Sequence, residues 1–180
     1  MLISRAHSSL LIVDLQAKLL PAIAEGERVI EHALWLTRIA QRLSVPVAAS
    51  EQYPQGLGPT VAPLRELLPP EAIGSKLHFN CVAAGCLENL PGAERSQRVL
   101  VGAETHVCVL QTALGLLRQG VDVYVVEEAV GSRRPSDRAA ALARLRQEGV
   151  RVVTREMVAF EWLEQAGSDE FRQVSREYLR

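Results

Sequence analysis

Three residues with complementary reactivity each follow a short apolar stretch of this sequence. Asp14 lies near the end of the apolar segment 9–16, and Lys76 is the last residue of the segment 72–76. Cys108 comes shortly after the segment 97–104. A free thiol titrates near ~8.5, so a neighbouring ammonium group or a helix start is needed to favour the reactive thiolate. A carboxylate can take the thiol proton and return it to a leaving group. Together the three residue types favour nucleophilic, acyl-type hydrolysis that needs no metal.

The elements that must position these residues are those of an α/β domain. Short apolar runs alternate with longer amphipathic segments, a pattern typical of a parallel sheet covered by helices. The predicted strands are 9–16, 45–50, 72–76, 97–104, 121–130 and 150–154. The predicted helices are 26–43, 107–120 and 135–149, followed by a C-terminal helical tail from about residue 156. We expect one domain over residues 1–180, a three-layer α/β/α sandwich with a mainly parallel sheet in the order 3-2-1-4-5-6.

The expected sheet brings the three residues to one place. Ligands of open parallel sheets bind at the carboxyl ends of the strands, where the strand order reverses. Asp14, Lys76 and Cys108 all emerge at that edge, and the order places the first strand beside the fourth. The turn-rich loop 51–60 is too long to be only a connector. The candidate pocket residues near these strand ends are Gln16, Gln52, Tyr53 and Phe79.

Less reactive interpretations of the same residues stay open. A cysteine among aliphatic neighbours is more often packed in a core than used as a nucleophile. An aspartate after a strand often caps a turn, and a lone lysine is usually solvated. Arg133 and Arg134 are candidates for contact with an anionic substrate, although adjacent arginines are usually solvated. The soft ligands that match no familiar zinc spacing are His78, Cys81, Cys86 and His106.

Composition excludes several broad classes of protein. Of the 180 residues 48% are hydrophobic, which is enough for a sizeable core, and the formal net charge is −1. That charge argues against a partner that is a nucleic acid or an anionic membrane. No apolar run approaches the ~18–20 residues of a membrane span, and the first residues lack a signal-peptide pattern. The odd count of three cysteines favours a reducing, cytoplasmic location.

Two segments carry a resemblance to a known family. The segment 101–133, VGAETHVCVLQTALGLLRQGVDVYVVEEAVGSR, resembles the cysteine segment of the isochorismatase-like cysteine hydrolases. The segment 51–64, EQYPQGLGPTVAPL, is similar to a loop of the branch called isochorismatase domain-containing proteins. With LLIVDLQ near the start, the resemblance covers about residues 10–154.

The resemblance implies a role for each candidate residue. Asp14 becomes the general acid and base, Lys76 the support of the thiolate, and Cys108 the nucleophile. It also implies an oxyanion hole of backbone amides at Glu104 and Cys108, and a cis peptide between Ala103 and Glu104. Members of the family commonly assemble as dimers or larger homo-oligomers and act on small molecules.

The sequence also departs from part of the family. Nicotinamidase relatives hold a metal with an Asp-x-His arrangement and a further histidine, whereas this chain has Glu51, Gln52 and Tyr53 at the matching loop. The resemblance therefore implies neither metal nor other cofactor. We expect a hydrolase of a small amide or related substrate. The alternatives are a vinyl-ether hydrolase, a non-catalytic binding or assembly protein on the same scaffold, and a thiol sensor pairing Cys108 with Cys81 or Cys86.

Overall fold

The sheet of the protein has six strands, all parallel. The computed structural model describes residues 1–179. The strands are β1 (Ser8–Val13), β2 (Val47–Gln52), β3 (Ile73–Lys76), β4 (Gln97–Ala103), β5 (Asp122–Gly131) and β6 (Arg151–Val153). They lie in the order β3-β2-β1-β4-β5-β6, and every neighbouring pair is parallel. The predicted strand order and fold class are confirmed.

Helices cover both faces of this sheet. They are α1 (Gly26–Arg42), α2 (Pro54–Leu57), α3 (Ala62–Arg65), α4 (Leu110–Arg118), α5 (Pro135–Gln147), α6 (Arg155–Leu163) and α7 (Asp169–Tyr178). Helix α1 packs with α3, α6 and α7 on one face, while α4 packs with α5 on the other. Within residues 1–179, no helix has both the length and the apolar character that crossing a membrane requires.

Strand β1 is the centre of the fold, and its sequence explains why. All six of its residues are buried. Leu10 and Ile12 belong to the core beneath α1, whereas Leu11 and Val13 belong to the core beneath α4. A strand covered on both faces needs apolar side chains at odd and even positions alike. The aliphatic run therefore fixes β1 in the interior and carries Asp14 to the carboxyl edge of the sheet.

The C-terminal segment packs against the sheet through helix α6. Thr154 caps this helix, its Oγ1 accepting a hydrogen bond from the Met157 backbone N–H at 3.2 Å. The buried Trp162 donates from Nε1 to Ser8 Oγ at 2.8 Å, at the first residue of β1. Gly167, with φ of 87°, separates α6 from α7, and Ser168 caps the second helix. The tail thus has the helix, glycine and helix arrangement that its sequence indicates.

Gly102 lets strands β1 and β4 approach closely next to Asp14. It pairs with Val13 and lies at a register shift between β4 and β5. Its φ is 136°, and a Cβ placed there would lie 2.0 Å from the Val13 carbonyl oxygen. Only glycine tolerates both conditions, because any side chain would overlap rigid backbone. Gly102 therefore sets the separation between the strands that carry Asp14 and Cys108.

We predict that Gly102→Ala lowers the free energy of unfolding by more than about 3 kcal/mol, because backbone strain and steric overlap add. Gly120→Ala is the matched control. Gly120 also has positive φ, at 81°, but a Cβ there meets no atom within 4 Å. Its loss is expected to be only about 1–2 kcal/mol. Urea denaturation of both variants measures the difference, and equal losses would contradict the close-approach argument.

Candidate active site

Asp14 is fully buried where β1 ends. Its φ of 51° turns the chain sharply after Val13, in a region that aspartate tolerates better than most residues. Oδ1 accepts a hydrogen bond from Ser50 Oγ at 2.7 Å, and Oδ2 accepts one from Lys76 Nζ at 2.7 Å. Both carboxylate oxygens are therefore held by protein donors. Ser50 is not among the residues predicted from the sequence, where its only signal is its place at the end of the second predicted strand.

Lys76 lies at the end of β3, and its side chain has no exposure to solvent. Besides the bond to Asp14, Nζ donates to Gln52 Oε1 at 2.6 Å. Burial lowers the pKa of Lys76, but the Asp14 carboxylate together with the nearby Cys81 and Cys108 raises it, and the net shift is above its ordinary value. Lys76 therefore keeps its ammonium charge although the pair is buried.

Cys108 lies on the neighbouring connection, in a single turn of π-helix (Thr105–Val109) between β4 and α4. Its side chain is 6% exposed. Burial raises the pKa of the thiol and the Asp14 carboxylate raises it further, while Lys76 lowers it. The ammonium group acts in the direction expected from the sequence, but the other two effects outweigh it. Cys108 therefore rests as a thiol beside a carboxylate that can accept its proton.

The turn that leads into Cys108 begins with the Ala103–Glu104 peptide bond, which is cis. The Glu104 carboxylate accepts hydrogen bonds from the Arg133 side chain at 3.0 Å from Nε and 2.8 Å from Nη2. Burial raises the pKa of Glu104, but Arg133 and, to a smaller extent, His106 lower it, and the net shift is downward. Arg133, a candidate for contact with an anionic substrate, instead connects the end of β5 to this turn. Arg134 is exposed.

Gln16 connects the loop after β2 to the sheet rather than lining an open pocket. It is fully buried, and its Nε2 donates to the carbonyl oxygens of Gln52 at 3.0 Å and Gly58 at 2.6 Å. Its Oε1 accepts from the Gln52 backbone N–H at 2.8 Å. Gln16 therefore lies near the strand ends, as the sequence predicts. Its side-chain amide, however, is already hydrogen-bonded to three backbone groups.

Glu51 holds the other end of the same loop. One carboxylate oxygen accepts from Thr60 N and Oγ1, at 2.7 and 2.9 Å, and from Arg65 Nη1 at 2.8 Å. Its carboxylate is therefore occupied by donors of the loop and of α3. Among residues 1–179 there is no group of three or more His, Cys, Asp or Glu side chains arranged to hold a metal ion.

Tyr53 and Phe79 are both half-exposed near the end of β3. Tyr53, just after β2, lines an open cavity of about 460 Å³. The other lining residues are Pro54, Gln55, Ser75, Lys76, Leu77, His78 and Ala84. Phe79 and Cys108 are not among them. Of the predicted pocket residues, Tyr53 lines this cavity and Phe79 is exposed outside it. Gln16 and Gln52 are buried.

Two further thiols lie on the loop after β3. A hydrogen bond from Cys86 lowers the pKa of the buried Cys81 to about 7, against the effect of burial, and Lys76 lowers it further. Cys86 is half-buried, and its pKa is raised. All three cysteines are free thiols. His106, another of the predicted soft ligands, instead places Nδ1 3.0 Å from Ser132 Oγ.

The sequence matches one protein family over most of its length. The model of the isochorismatase domain matches residues 8–157. Isochorismatase domain-containing protein 2A of Mus musculus is 39% identical over 171 residues, which cover 94% of this chain and 81% of that protein. Isochorismatase domain-containing protein 2 of Danio rerio is 35% identical, with coverage of 97% and 88%.

Solved structures agree with the family match. A Caenorhabditis elegans protein described as the MAR1 ribonuclease superposes with a TM-score of 0.89 at 33% identity, covering 100% of this chain and 93% of its own. YcaC of Escherichia coli, described as an octameric hydrolase of unknown specificity, superposes with a TM-score of 0.88 at 23% identity, with coverage of 99% and 91%. The similarity to YcaC shows only that the two proteins share a fold.

We predict that Asp14→Asn and Lys76→Met change the alkylation rate of Cys108 in opposite directions. The Asp14 carboxylate raises the pKa of the thiol and Lys76 lowers it. Removing the carboxylate therefore increases the thiolate fraction at pH 7, and removing the ammonium group decreases it. While the pH lies below the pKa, a thiol whose pKa is lower by one has about ten times more thiolate. We therefore expect effects of at least about tenfold, of opposite sign, on the rate with iodoacetamide.

Peptide mapping by mass spectrometry follows Cys108 separately from Cys81 and Cys86. Each variant leaves one buried charge without its partner, which costs about 3–5 kcal/mol of stability. Rates are therefore compared at a temperature where circular dichroism shows all proteins to be folded. A change of the same sign in both variants would disprove the opposing electrostatic roles of Asp14 and Lys76.

Proposed function

Because the chain belongs to the isochorismatase family and has its hydrolase fold, we propose that it is a metal-independent cysteine hydrolase of a small amide or related compound. The observation that carries the proposal is the buried Asp14–Lys76 ion pair, whose two charges both act on the thiol of Cys108. A proton acceptor, a cation and a nucleophile are then combined at the carboxyl edge of the sheet, where parallel folds bind ligands.

In the proposed acylation step, Asp14 takes the proton of the Cys108 thiol as sulfur attacks the carbonyl carbon of the substrate. The carbonyl oxygen becomes an oxyanion, which we assign to the backbone N–H groups of Glu104 and Cys108. The carbon–nitrogen bond then breaks, and Asp14 returns the proton to the departing amine. The products of this step are a thioester on Cys108, a free amine and an ionised Asp14.

Water completes the proposed cycle. Asp14, again a carboxylate, removes a proton from a water molecule that attacks the thioester carbon. The carbon–sulfur bond breaks, and the proton passes from Asp14 to the departing sulfur. A carboxylic acid leaves, and the Cys108 thiol, the Asp14 carboxylate and the Lys76 ammonium group are restored. Atoms and charges balance over the two steps without a metal or another cofactor.

Lys76 supports this cycle because its positive charge pairs with the negative charge, whether that charge is on Asp14 or on Cys108. Transfer of a proton from Cys108 to Asp14 replaces a carboxylate–ammonium pair with a thiolate–ammonium pair. The net charge stays the same, so no additional isolated charge is created in a low-dielectric environment. Gln52 accepts from Nζ at 2.6 Å and keeps the ammonium group in place as its partner changes.

We further propose that the protein works in the reducing cytoplasm as a homo-oligomer. Its three free cysteines are compatible with a compartment that keeps thiols reduced. YcaC, which shares the fold, is described as an octamer. Neither a nucleic acid nor a membrane is among the proposed partners, since the net charge of −1 supplies no broad basic surface.

A second candidate activity comes from the Caenorhabditis elegans protein described as a ribonuclease, which is 33% identical to this chain. The absence of net positive charge disfavours it, because phosphate contacts supply most of the affinity for RNA. Cleavage of a vinyl ether and a non-catalytic assembly role are two further candidates that follow from the sequence. A single comparative screen separates these four roles.

We predict that a screen of small amides, N-carbamoyl compounds, isochorismate and a labelled oligoribonucleotide finds turnover of an amide or carbamoyl compound. Cys108→Ala is expected to reduce that turnover by about a thousandfold or more, because the nucleophile is lost. Cys86→Ala is the matched control and retains turnover. Intact-mass spectrometry of the wild type during turnover should show an acyl adduct that maps to Cys108.

Each candidate role has its own outcome in this screen. Undiminished amide turnover by Cys108→Ala rules out the proposed nucleophile. Turnover of isochorismate alone favours the vinyl-ether activity, and cleavage of the oligoribonucleotide favours the ribonuclease. If no compound turns over and none leaves an acyl adduct on Cys108, the non-catalytic role is supported.

A further inference from the structure

Arg98 is a buried arginine that forms no ion pair with a carboxylate among residues 1–179, and it is remote from Asp14. It is the second residue of β4, in register with Ser9, at the opposite end of the sheet from Asp14. Its exposed fraction is 2%. In the part of the chain that the structure describes, Nη2 donates to the Ala93 carbonyl at 3.4 Å, while the buried Nε has no hydrogen-bond partner.

No carboxylate in residues 1–179 forms an ion pair with this guanidinium. Burial lowers the pKa of Arg98, and the charge of Glu94 compensates only in part. Glu94 is itself exposed and lies 3.2 Å from the Arg95 side chain, with which it is paired. A charge removed from water without a partner or full hydrogen bonding is strongly unfavourable, which is why buried arginines are normally paired.

A cavity of about 100 Å³ adjoins Arg98. One water molecule needs roughly 10–15 Å³ of cavity volume, so there is room for several waters or one small polyatomic ion. Cys81, Arg98 and Leu116 form its buried wall, and Glu88 and Gln119 are exposed at its rim. The remaining lining residues are Val82, Gly85, Leu87, Ala93 and Val121. The cavity is therefore open to solvent and next to an unsatisfied cation.

We propose that this cavity is a binding site for a small oxyanion, a carboxylate or a phosphate group, with Arg98 as its counter-charge. A guanidinium binds planar carboxylates and tetrahedral phosphates through paired N–H donors. The guanidinium of Arg98 at this cavity is therefore suited to such a ligand. The aliphatic side chains of Leu87, Leu116 and Val121 beside Arg98 lower the local dielectric constant and so strengthen an ion pair formed there. The volume restricts the ligand to a free anion or the terminal group of a small metabolite. This site is separate from Cys108 and does not depend on the proposed hydrolysis.

We predict that inorganic phosphate or acetate raises the melting temperature of the wild-type protein at constant ionic strength, relative to sodium chloride. A ligand that binds only the folded state shifts the equilibrium by mass action, and a rise of about 4 °C or more is expected at saturation. Comparison of phosphate with acetate identifies which oxyanion the cavity prefers. Isothermal titration calorimetry then measures the stoichiometry, which is expected to be one anion per chain.

Arg98→Gln should abolish the rise and the calorimetric signal. The substitution removes a buried unpaired charge, so the variant is expected to remain folded. Arg95→Gln, which alters an arginine close in sequence but with an existing partner, is the matched control and should retain both responses. An equal phosphate effect in Arg98→Gln would place binding elsewhere and overturn the proposal. A wild-type protein that responds to neither anion would overturn it as well.

Discussion

The buried ion pair between Asp14 and Lys76 is the interaction on which the candidate active site depends. The two residues come from β1 and β3, which are not neighbours, and β2 lies between them. Ser50 and Gln52 of β2 satisfy the outer atoms of the pair, one donating to the carboxylate and the other accepting from the ammonium group. Burying either charge alone costs several kcal/mol, so each residue requires the other. Three strand ends are thereby tied together by electrostatics as well as by backbone hydrogen bonds.

This pair also sets the protonation state of the neighbouring cysteine. A lone lysine beside Cys108 would favour a thiolate, but the carboxylate neutralises that lysine and burial disfavours any further charge. The resting site is therefore a thiol next to a carboxylate. In the proposed reaction, ionisation of the thiol is coupled to protonation of Asp14, and the buried region keeps the same net charge. The cost of isolated charge in a buried site is thus the constraint that the proposed chemistry meets.

The surrounding groups keep this geometry fixed. Gly102 permits the approach of β4 to β1, which no residue with a Cβ would allow. Gln16 and Glu51 attach the loop after β2 to the sheet by hydrogen bonds from both ends. Arg133 holds the turn before Cys108 through Glu104. Gln16 and Arg133, which the sequence suggests as substrate contacts, instead hold the backbone around the three candidate catalytic residues.

The sequence by itself determined the parallel α/β architecture and the edge of the sheet where the candidate catalytic residues lie. The reason is that strand burial and helix periodicity are local patterns, readable in the two-sided aliphatic run before Asp14 and in the segment before Gly120. Only the tertiary structure decided what each polar group contacts. Ser50 as a partner of Asp14, the engagement of Arg133 with Glu104 and the raised pKa of Cys108 all depend on residues distant in the chain. Hydrogen bonding and desolvation act over a few ångströms in space, and sequence spacing does not encode those distances.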